Sequence, residues 1–296
     1  MGRELADAFE VSRTTFDEAD TAIGEDLSRL IFEGPADTLT LTANTQPSIV
    51  TVSIAALRAF QERSSLTPSF VAGHSLGEFS ALVCSGAMSF TDAVRTTRAR
   101  GTLMQEAVPP GEGAMAAVMK MNPKDVEAAC GEGASMGVVC AANFNSPGQT
   151  VISGAAGAVE HVSTIIKERG GRVIPLKVSA PFHCALMEPA ATGLNGFLGE
   201  IDFVDPITPV VTNVEAEPNS DGNRIRDLLV RQVTSPVRWT ESVAFMIGQG
   251  VTRFVEFGPG NVLAGLIAKI DSSIKVMSVN TPESLEKALE SFGAQN

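Results

Sequence analysis

The sequence predicts an α/β fold in which a small β-α-β-β-α-β unit interrupts a larger domain. Three observations carry that expectation. Helical and strand patterns alternate along the 296 residues, as they do in chains that layer helices on a sheet. The texture changes after Pro109-Pro110-Gly111, where short β-type runs replace longer helical ones. Between these, the apolar run Phe70-Val71-Ala72 meets a serine held between two glycines, and an apolar helical run, Leu76 to Gly86, follows at once.

The elements follow in chain order. Pro47 to Phe60 reads as a helix, with Ile49, Val50, Ile54, Leu57 and Phe60 near the helical period. Ser69–Ala72 reads as a short buried strand. Ser89-Phe90-Thr91-Asp92 resembles a capping box opening a helix that carries Val94, Arg98 and Arg100. Ala114–Met121 then reads as a strand and Pro123–Cys130 as a helix entered through Asn122. Val138–Ala142 and Thr150–Ser153 read as strands joined by the turn-rich Asn145-Ser146-Pro147-Gly148. In Ala158–Arg169 the residues Val159, Val162, Ile165 and Ile166 share one helical face, and Arg172–Val178 closes the unit as a strand. That order is the ferredoxin-like one. It is expected to span residues 113–178, inserted in a large domain made of 1–112 and 179–296. In the second part Pro209–Thr212, Arg253–Glu256 and Lys275–Val279 read as strands, and Pro282 to Phe292 as a helix.

Composition removes several classes of function. The net charge of -12 argues against a nucleic-acid footprint, which would be basic. No apolar run reaches the length of a membrane span. The first thirty residues hold Asp7, Glu10, Asp17, Glu18 and Asp20, unlike a secretory signal. Cys84, Cys130, Cys140 and Cys184 lack CxxC spacing and have apolar neighbours, as expected of buried free thiols in a reducing cytoplasm. The three histidines show no metal-ligand spacing, so no metal is expected.

Gly73-His74-Ser75-Leu76-Gly77 fits G-x-S-x-G on a strand-turn-helix. The turn is strained, so the flanking residues are expected to be small enough for strand and helix to approach. The helix beginning there aims free N–H groups at the serine, and the Leu76 N–H can help hold an oxyanion. Ser75 needs a base. His74 adjoins it and reads as a scaffold residue. His161 lies on the polar face of its helix and reads as exposed. His183 remains, in Ser179-Ala180-Pro181-Phe182-His183-Cys184-Ala185-Leu186-Met187, where the chain leaves the inserted unit. No third, acidic partner is evident. Asp125, Glu127, Glu160 and Glu168 lie between serine and histidine, but on helices of the small unit that read as exposed.

At these residues the chain resembles the malonyl-CoA:acyl-carrier-protein transacylases of bacterial type II fatty-acid synthesis. Further segments agree in order: Arg100-Gly101 with Met104-Gln105-Glu106-Ala107; Asn145-Ser146-Pro147-Gly148-Gln149 with Val151-Ile152-Ser153-Gly154; Pro236-Val237-Arg238-Trp239; and Glu256-Phe257-Gly258-Pro259-Gly260. The resemblance implies an α/β-hydrolase-like large domain with a parallel sheet, carrying the ferredoxin-like insertion. It implies Ser75 as acylated nucleophile, His183 as base, Arg100 as the partner of the malonyl carboxylate, and Leu76 as an oxyanion donor. It also implies that the Gln232 main-chain carbonyl orients the histidine, which would account for the missing acid. A guanidinium suits that carboxylate because it binds in a planar, bidentate manner that lysine cannot copy.

The expected activity is ping-pong transfer of malonyl from malonyl-CoA to the phosphopantetheine thiol of acyl carrier protein, supplying chain elongation, by a cytoplasmic monomer without cofactor. Lys167, Arg169, Arg172 and Lys177 are the basic residues expected to meet an acidic carrier protein, or else form an ordinary solvated face. Two other readings stay open on the sequence: a serine esterase or thioesterase using the same pair, and a weakened carrier-protein-binding homologue. The family carries a strand and a Gly-Gln-Gly-Ser-Gln segment upstream of the position of Met1. A chain lacking them is expected to lose stability and an oxyanion contact.

Overall fold

A computed structural model describes residues 1–293; residues 294–296, the end of the range expected for the large domain, lie outside the described residues. The chain opens with four helices, α1 (Arg3–Ala8), α2 (Glu10–Ile23), α3 (Leu27–Glu33) and α4 (Ala36–Thr40), followed by α5 (Thr42–Gln61). Then come β1 (Val71–Ala72), α6 (Gly77–Cys84) and α7 (Phe90–Glu106). The small unit holds β2 (Gly113–Met119), α8 (Pro123–Gly133), β3 (Val139–Ser146), β4 (Gln149–Ala155), α9 (Ala156–Glu168) and β5 (Arg172–Pro175). After it run α10 (Glu188–Leu198), β6 (Val210–Val211), β7 (Pro218–Asn219), α11 (Gly222–Gln232) and α12 (Trp239–Gly248). The chain closes with β8 (Arg253–Phe257), α13 (Val262–Ile270), β9 (Lys275–Val279) and α14 (Pro282–Gly293).

Helix α5 is apolar on most sides and runs through the main core, with Val50, Val52, Ile54, Ala55 and Leu57 buried. It starts five residues before the expected Pro47. A proline inside a helix cannot donate to the carbonyl four residues back. Here that carbonyl, Ala43 O, accepts instead from the Arg98 guanidinium at 3.0 Å. Helix α7 crosses α5 closely because Gly101 has no side chain; a Cβ there would lie 2.5 Å from Thr42 O. That approach sets Arg100 beside α5. Ser89 caps α7 as expected, accepting from Asp92 N at 3.0 Å.

The parallel strands form two pieces, of which β1 and β6 are shorter than expected, β9 has the expected bounds and β8 runs one residue further. β1 pairs in parallel with β6, with β7 antiparallel beyond, while β8 and β9 pair in parallel on their own. β1 begins at Val71, not Ser69, because Pro209 has no N–H with which to carry the ladder further back. In the small unit the strand order is β3-β4-β2-β5, fully antiparallel. β2 stops at Met119 because Lys120 turns to φ 63°.

One face of this small sheet, through Ala116, Val118 and Ile152, packs on Val126, Ala129 and Cys130 of α8 and Val159, Val162 and Ile166 of α9. Its other face, through Met115, Ala117, Ala142 and Val151, packs on Phe182. The alternation of a pleated strand thus seats the residue before His183. A second tie joins the unit to the rest: Phe144 N donates to Val237 O, and Val237 N to Ala142 O, both at 2.9 Å. The last pairs of β8 and β9 lead into α14, where Leu285 and Ala288 bury against Phe60 and Val279.

Candidate active site

The corner between β1 and α6 places Ser75. Its backbone has φ 51°, in the left-handed region that non-glycine residues avoid. Gly73 is obligatory for the corner, since a Cβ there would stand 2.0 Å from the Gly77 carbonyl carbon and oxygen. Gly77 is not obligatory on that ground: a Cβ there meets nothing within 4 Å. The expectation of two tight flanking positions is therefore corrected to one. Leu76 precedes α6 in helical conformation, and among the described residues its N–H donates to no protein acceptor.

Ser75 Oγ lies 2.8 Å from His183 Nε2, across 108 residues of sequence. The other ring nitrogen, Nδ1, lies 2.8 Å from Gln232 O. A carbonyl only accepts, so Nδ1 carries the proton and Nε2 is free to accept from the Ser75 hydroxyl. His183 is 3% exposed and itself holds φ 60°. Burial, and then the positive charge of Arg100, hold its pKa down to about 3. The ring is neutral at physiological pH, the form a general base requires.

Arg100 is 2% exposed. Its Nη1 donates to Gln46 Oε1 at 2.6 Å; its Nη2 donates to Ser75 Oγ at 3.0 Å and to Gln232 Oε1 at 2.9 Å. Its Nε is buried and, among the described residues, has no partner. Burial lowers its pKa to about 10, while Glu78 opposes the fall, so it stays a cation. The structure thus brings Ser75, His183, Arg100 and Gln232 together, with the Leu76 backbone beside them.

The other two histidines lie elsewhere in role or place. His74 Nε2 pairs with Asn145 Oδ1 at 2.7 Å, and its ring lies 5.7 Å from that of Trp239, as fits a scaffold residue. His161 is exposed on α9, as are Asp125, Glu127, Glu160 and Glu168 on their helices. Lys167, Arg169, Arg172 and Lys177 are exposed too, and Arg169 is paired with Glu132 at 2.6 Å. Among the described residues no cluster of three or more His, Cys, Asp or Glu could hold a metal, and no helix is long and apolar enough to cross a membrane.

Three functional neighbours escaped the sequence reading. Glu78 is 1% exposed, and its Oε2 accepts from Asn213 N and from Gln232 Nε2, each at 2.9 Å. Burial pushes its carboxyl up to about 7. Gln46 bonds Arg100 as described. Asn213 bonds the serine corner, accepting from Ser75 N at 2.6 Å and donating to Gly73 O at 2.6 Å. No local signal sets Glu78 apart, because a glutamate on the first turn of a helix is already accounted for by the helix dipole.

The acyl transferase domain model matches residues 1–282. The chain is 48% identical to the malonyl CoA-acyl carrier protein transacylase of Bacillus subtilis, over 100% of this chain and 94% of that protein. It is 46% identical to the protein of the same name from Escherichia coli K12, over 98% and 94%. The acyl-carrier-protein-S-malonyltransferase of Bartonella henselae superimposes with a TM-score of 0.96 at 46% identity, over 99% of this chain and 95% of that one. A malonyl-transacylase solved in complex with its type II PKS acyl-carrier protein matches with a TM-score of 0.96 at 46% identity, over 98% and 94%. With full-length similarity to these proteins in both sequence and structure, the chain belongs to the malonyl CoA-acyl carrier protein transacylases of the acyl transferase domain family.

Proposed function

We propose that Ser75 and His183 move malonyl from malonyl-CoA to the phosphopantetheine thiol of acyl carrier protein, the step that supplies malonyl for fatty-acid elongation. The observation that carries the reading is the meeting of a base and a cation on one oxygen. Ser75 Oγ has the neutral His183 imidazole at 2.8 Å and the Arg100 guanidinium at 3.0 Å. In the first half-reaction Oγ attacks the thioester carbonyl as its proton passes to His183 Nε2. The C–S bond then breaks, and the leaving sulfur takes that proton. In the second, the phosphopantetheine thiol gives its proton to Nε2 and its sulfur attacks the malonyl ester. Oγ leaves and recovers the proton. A thioester becomes an oxygen ester and then a thioester again, so no electrons are transferred and no cofactor is called for.

The Leu76 N–H is read as the oxyanion donor, supported by its lack of a protein acceptor. Arg100 is read as the carboxylate anchor, supported by its buried, unpartnered Nε. Gln232 is read as the residue whose carbonyl orients His183, supported by its 2.8 Å approach to Nδ1. We read 113–178 as the inserted small domain of a large domain made of 1–112 and 179–296, supported by the strand order β3-β4-β2-β5, a sheet formed by strands of this segment alone. Four unpaired cysteines support a cytoplasmic setting.

Intact-mass spectrometry after mixing with malonyl-CoA tests the reading. A malonyl adduct is expected on the wild type and none on Ser75→Ala; an adduct persisting in that variant refutes the assignment. Adding acyl carrier protein should move the adduct to the carrier thiol. Release of free malonate at the same rate without carrier would favour an esterase.

A further inference from the structure

We propose that Asn213 is a positioning residue that locks the nucleophile corner, through a single side-chain amide bonded to the backbone on both sides of His74. The inference rests on Ser75 as the nucleophile. A serine at φ 51° holds that conformation only where its surroundings over-determine it. The register of β1 with β6 ends at Ala72 and Val211, just before the chain turns. Beyond that point the β1–β6 ladder no longer holds the chain, and the Asn213 side chain ties Gly73 and Ser75 to the β6 side. Its Nδ2 donates to Gly73 O and its Oδ1 accepts from Ser75 N–H, both at 2.6 Å.

Asn213 is itself fixed at both backbone ends. Its N–H donates to Glu78 Oε2 at 2.9 Å, and its carbonyl accepts from Arg238 N at 3.0 Å. It is 1% exposed, so water does not compete for these bonds. The Gln232 side chain completes the hold, its Nε2 donating to Ser75 O at 3.2 Å and to Glu78 Oε2 at 2.9 Å. Both polar backbone groups of Ser75 are thereby gripped by side chains from outside the corner. The Ser75 N–H is already spent on Asn213, so the oxyanion falls to the Leu76 N–H.

The experiment measures acylation of Ser75 by quenched intact-mass kinetics, with malonyl-CoA and acetyl-CoA, in Asn213→Ala and Asn213→Asp. Misplacing a nucleophile by about 1 Å costs ~10²-fold in rate. Asn213→Ala should slow acylation by about 10- to 100-fold for both donors, with their ratio unchanged, because Arg100 is untouched. Asn213→Asp supplies a signature that a merely structural role would not give. Its carboxylate accepts from Ser75 N–H but offers Gly73 O no proton. It faces Glu78 from α6 and His74 in the corner, with the Arg100 cation beyond Gln232. As the new carboxyl protonates at lower pH, its O–H can donate to Gly73 O, so the rate relative to wild type at the same pH should rise. Should Asn213→Ala not fold, the Asn213→Asp profile decides. The proposal is overturned by a folded variant that acylates at the wild-type rate, by an Asn213→Asp defect of equal size at every pH, or by a loss confined to malonyl-CoA. Normal Ser75 labelling in the variants overturns this proposal alone, whereas an adduct on Ser75→Ala overturns the nucleophile itself.

Discussion

Replacing Arg100 by alanine should convert a malonyl-selective acyl acceptor into one that scarcely distinguishes malonyl from acetyl. The guanidinium touches Ser75 Oγ, Gln46 Oε1 and Gln232 Oε1 and keeps a buried Nε unfilled. A hydrogen bond to a charged group contributes roughly 1.5–3 kcal/mol. Losing that contribution for malonyl alone lowers its kcat/KM about 10- to 150-fold relative to acetyl. Acetyl-CoA should lose little. Arg100 is the second cause, after burial, of the depressed His183 pKa, so its removal makes the base stronger. Stability should fall as well. Gln46 Oε1 and Gln232 Oε1 lose their donors in a buried setting, at about 1–3 kcal/mol for each orphaned acceptor. Glu78 loses a cation that favours its charged form. Arg100→Lys restores the charge without the fork and should recover only part of the selectivity. The assay is kcat/KM for malonyl-CoA and acetyl-CoA, run beside urea denaturation to show that each variant is folded. Equal losses for the two donors, in a folded protein, would refute the carboxylate reading.

The remaining predictions rest on separate parts of the site. His183→Ala should slow acylation by ~10²–10⁴-fold in rapid-quench mass measurements, the usual contribution of a general base. Gly73→Ala should cost at least about 3 kcal/mol or prevent folding, because its Cβ would strike immovable backbone at 2.0 Å, whereas Gly77→Ala should stay within about 1 kcal/mol of wild type in the same denaturant titration. Glu78→Gln keeps the acceptor for Asn213 N and Gln232 Nε2 but removes the charge, so its effect should depend on pH. The Glu78 carboxyl rises from its ordinary 4.5 to about 7. The folded state therefore holds its proton more tightly, and that contribution is present below pH 4.5 and lost as pH rises through 7. The span corresponds to about 3 kcal/mol, so Glu78→Gln should gain stability on wild type between those pH values in urea titrations. A difference that is flat with pH would show that Glu78 titrates normally.

The parts of the molecule that were legible in the sequence are those whose signals are local. Helix caps such as Ser89 and Asn122 lie three residues from the N–H groups they accept from, and the α9 apolar face repeats within one helix. The serine corner was legible because its glycine, serine and following helix are contiguous. His183 was legible by elimination, since only three histidines exist. Arg100 and Gln232 were not legible from pattern at all and entered through family resemblance. Their helices show ordinary amphipathic faces, and only the crossing of α5 and α7 at Gly101 turns one arginine of three inward. Asp125, Glu127, Glu160 and Glu168 lie in the expected interval and are exposed, as their helices predict, while Glu78, one residue past the G-x-S-x-G motif, is the buried one. Burial is a tertiary fact, and a glutamate on a first helical turn already has a local explanation in the helix dipole.

That buried glutamate also bears on why a carbonyl, not a carboxylate, orients His183. On the function proposed above, the Arg100 cation meets an anion carried in by the substrate. An acid hydrogen-bonded to Nδ1 would enter the same buried cluster as Arg100, and would compete for the guanidinium with the incoming malonyl carboxylate. The Gln232 carbonyl fixes the ring through the 2.8 Å contact without adding charge. The same residue's amide lies between Arg100 and Glu78, accepting from Nη2 at 2.9 Å and donating to Oε2 at 2.9 Å. It separates the buried Glu78 carboxyl from the buried Arg100 cation by a neutral bridge, and leaves the Arg100 Nε open. A single glutamine thus sets the tautomer of the base through its backbone and, on the proposed function, keeps the Arg100 guanidinium available through its side chain. A carboxylate hydrogen-bonded to Nδ1 in place of that carbonyl could do the first of these only by undoing the second.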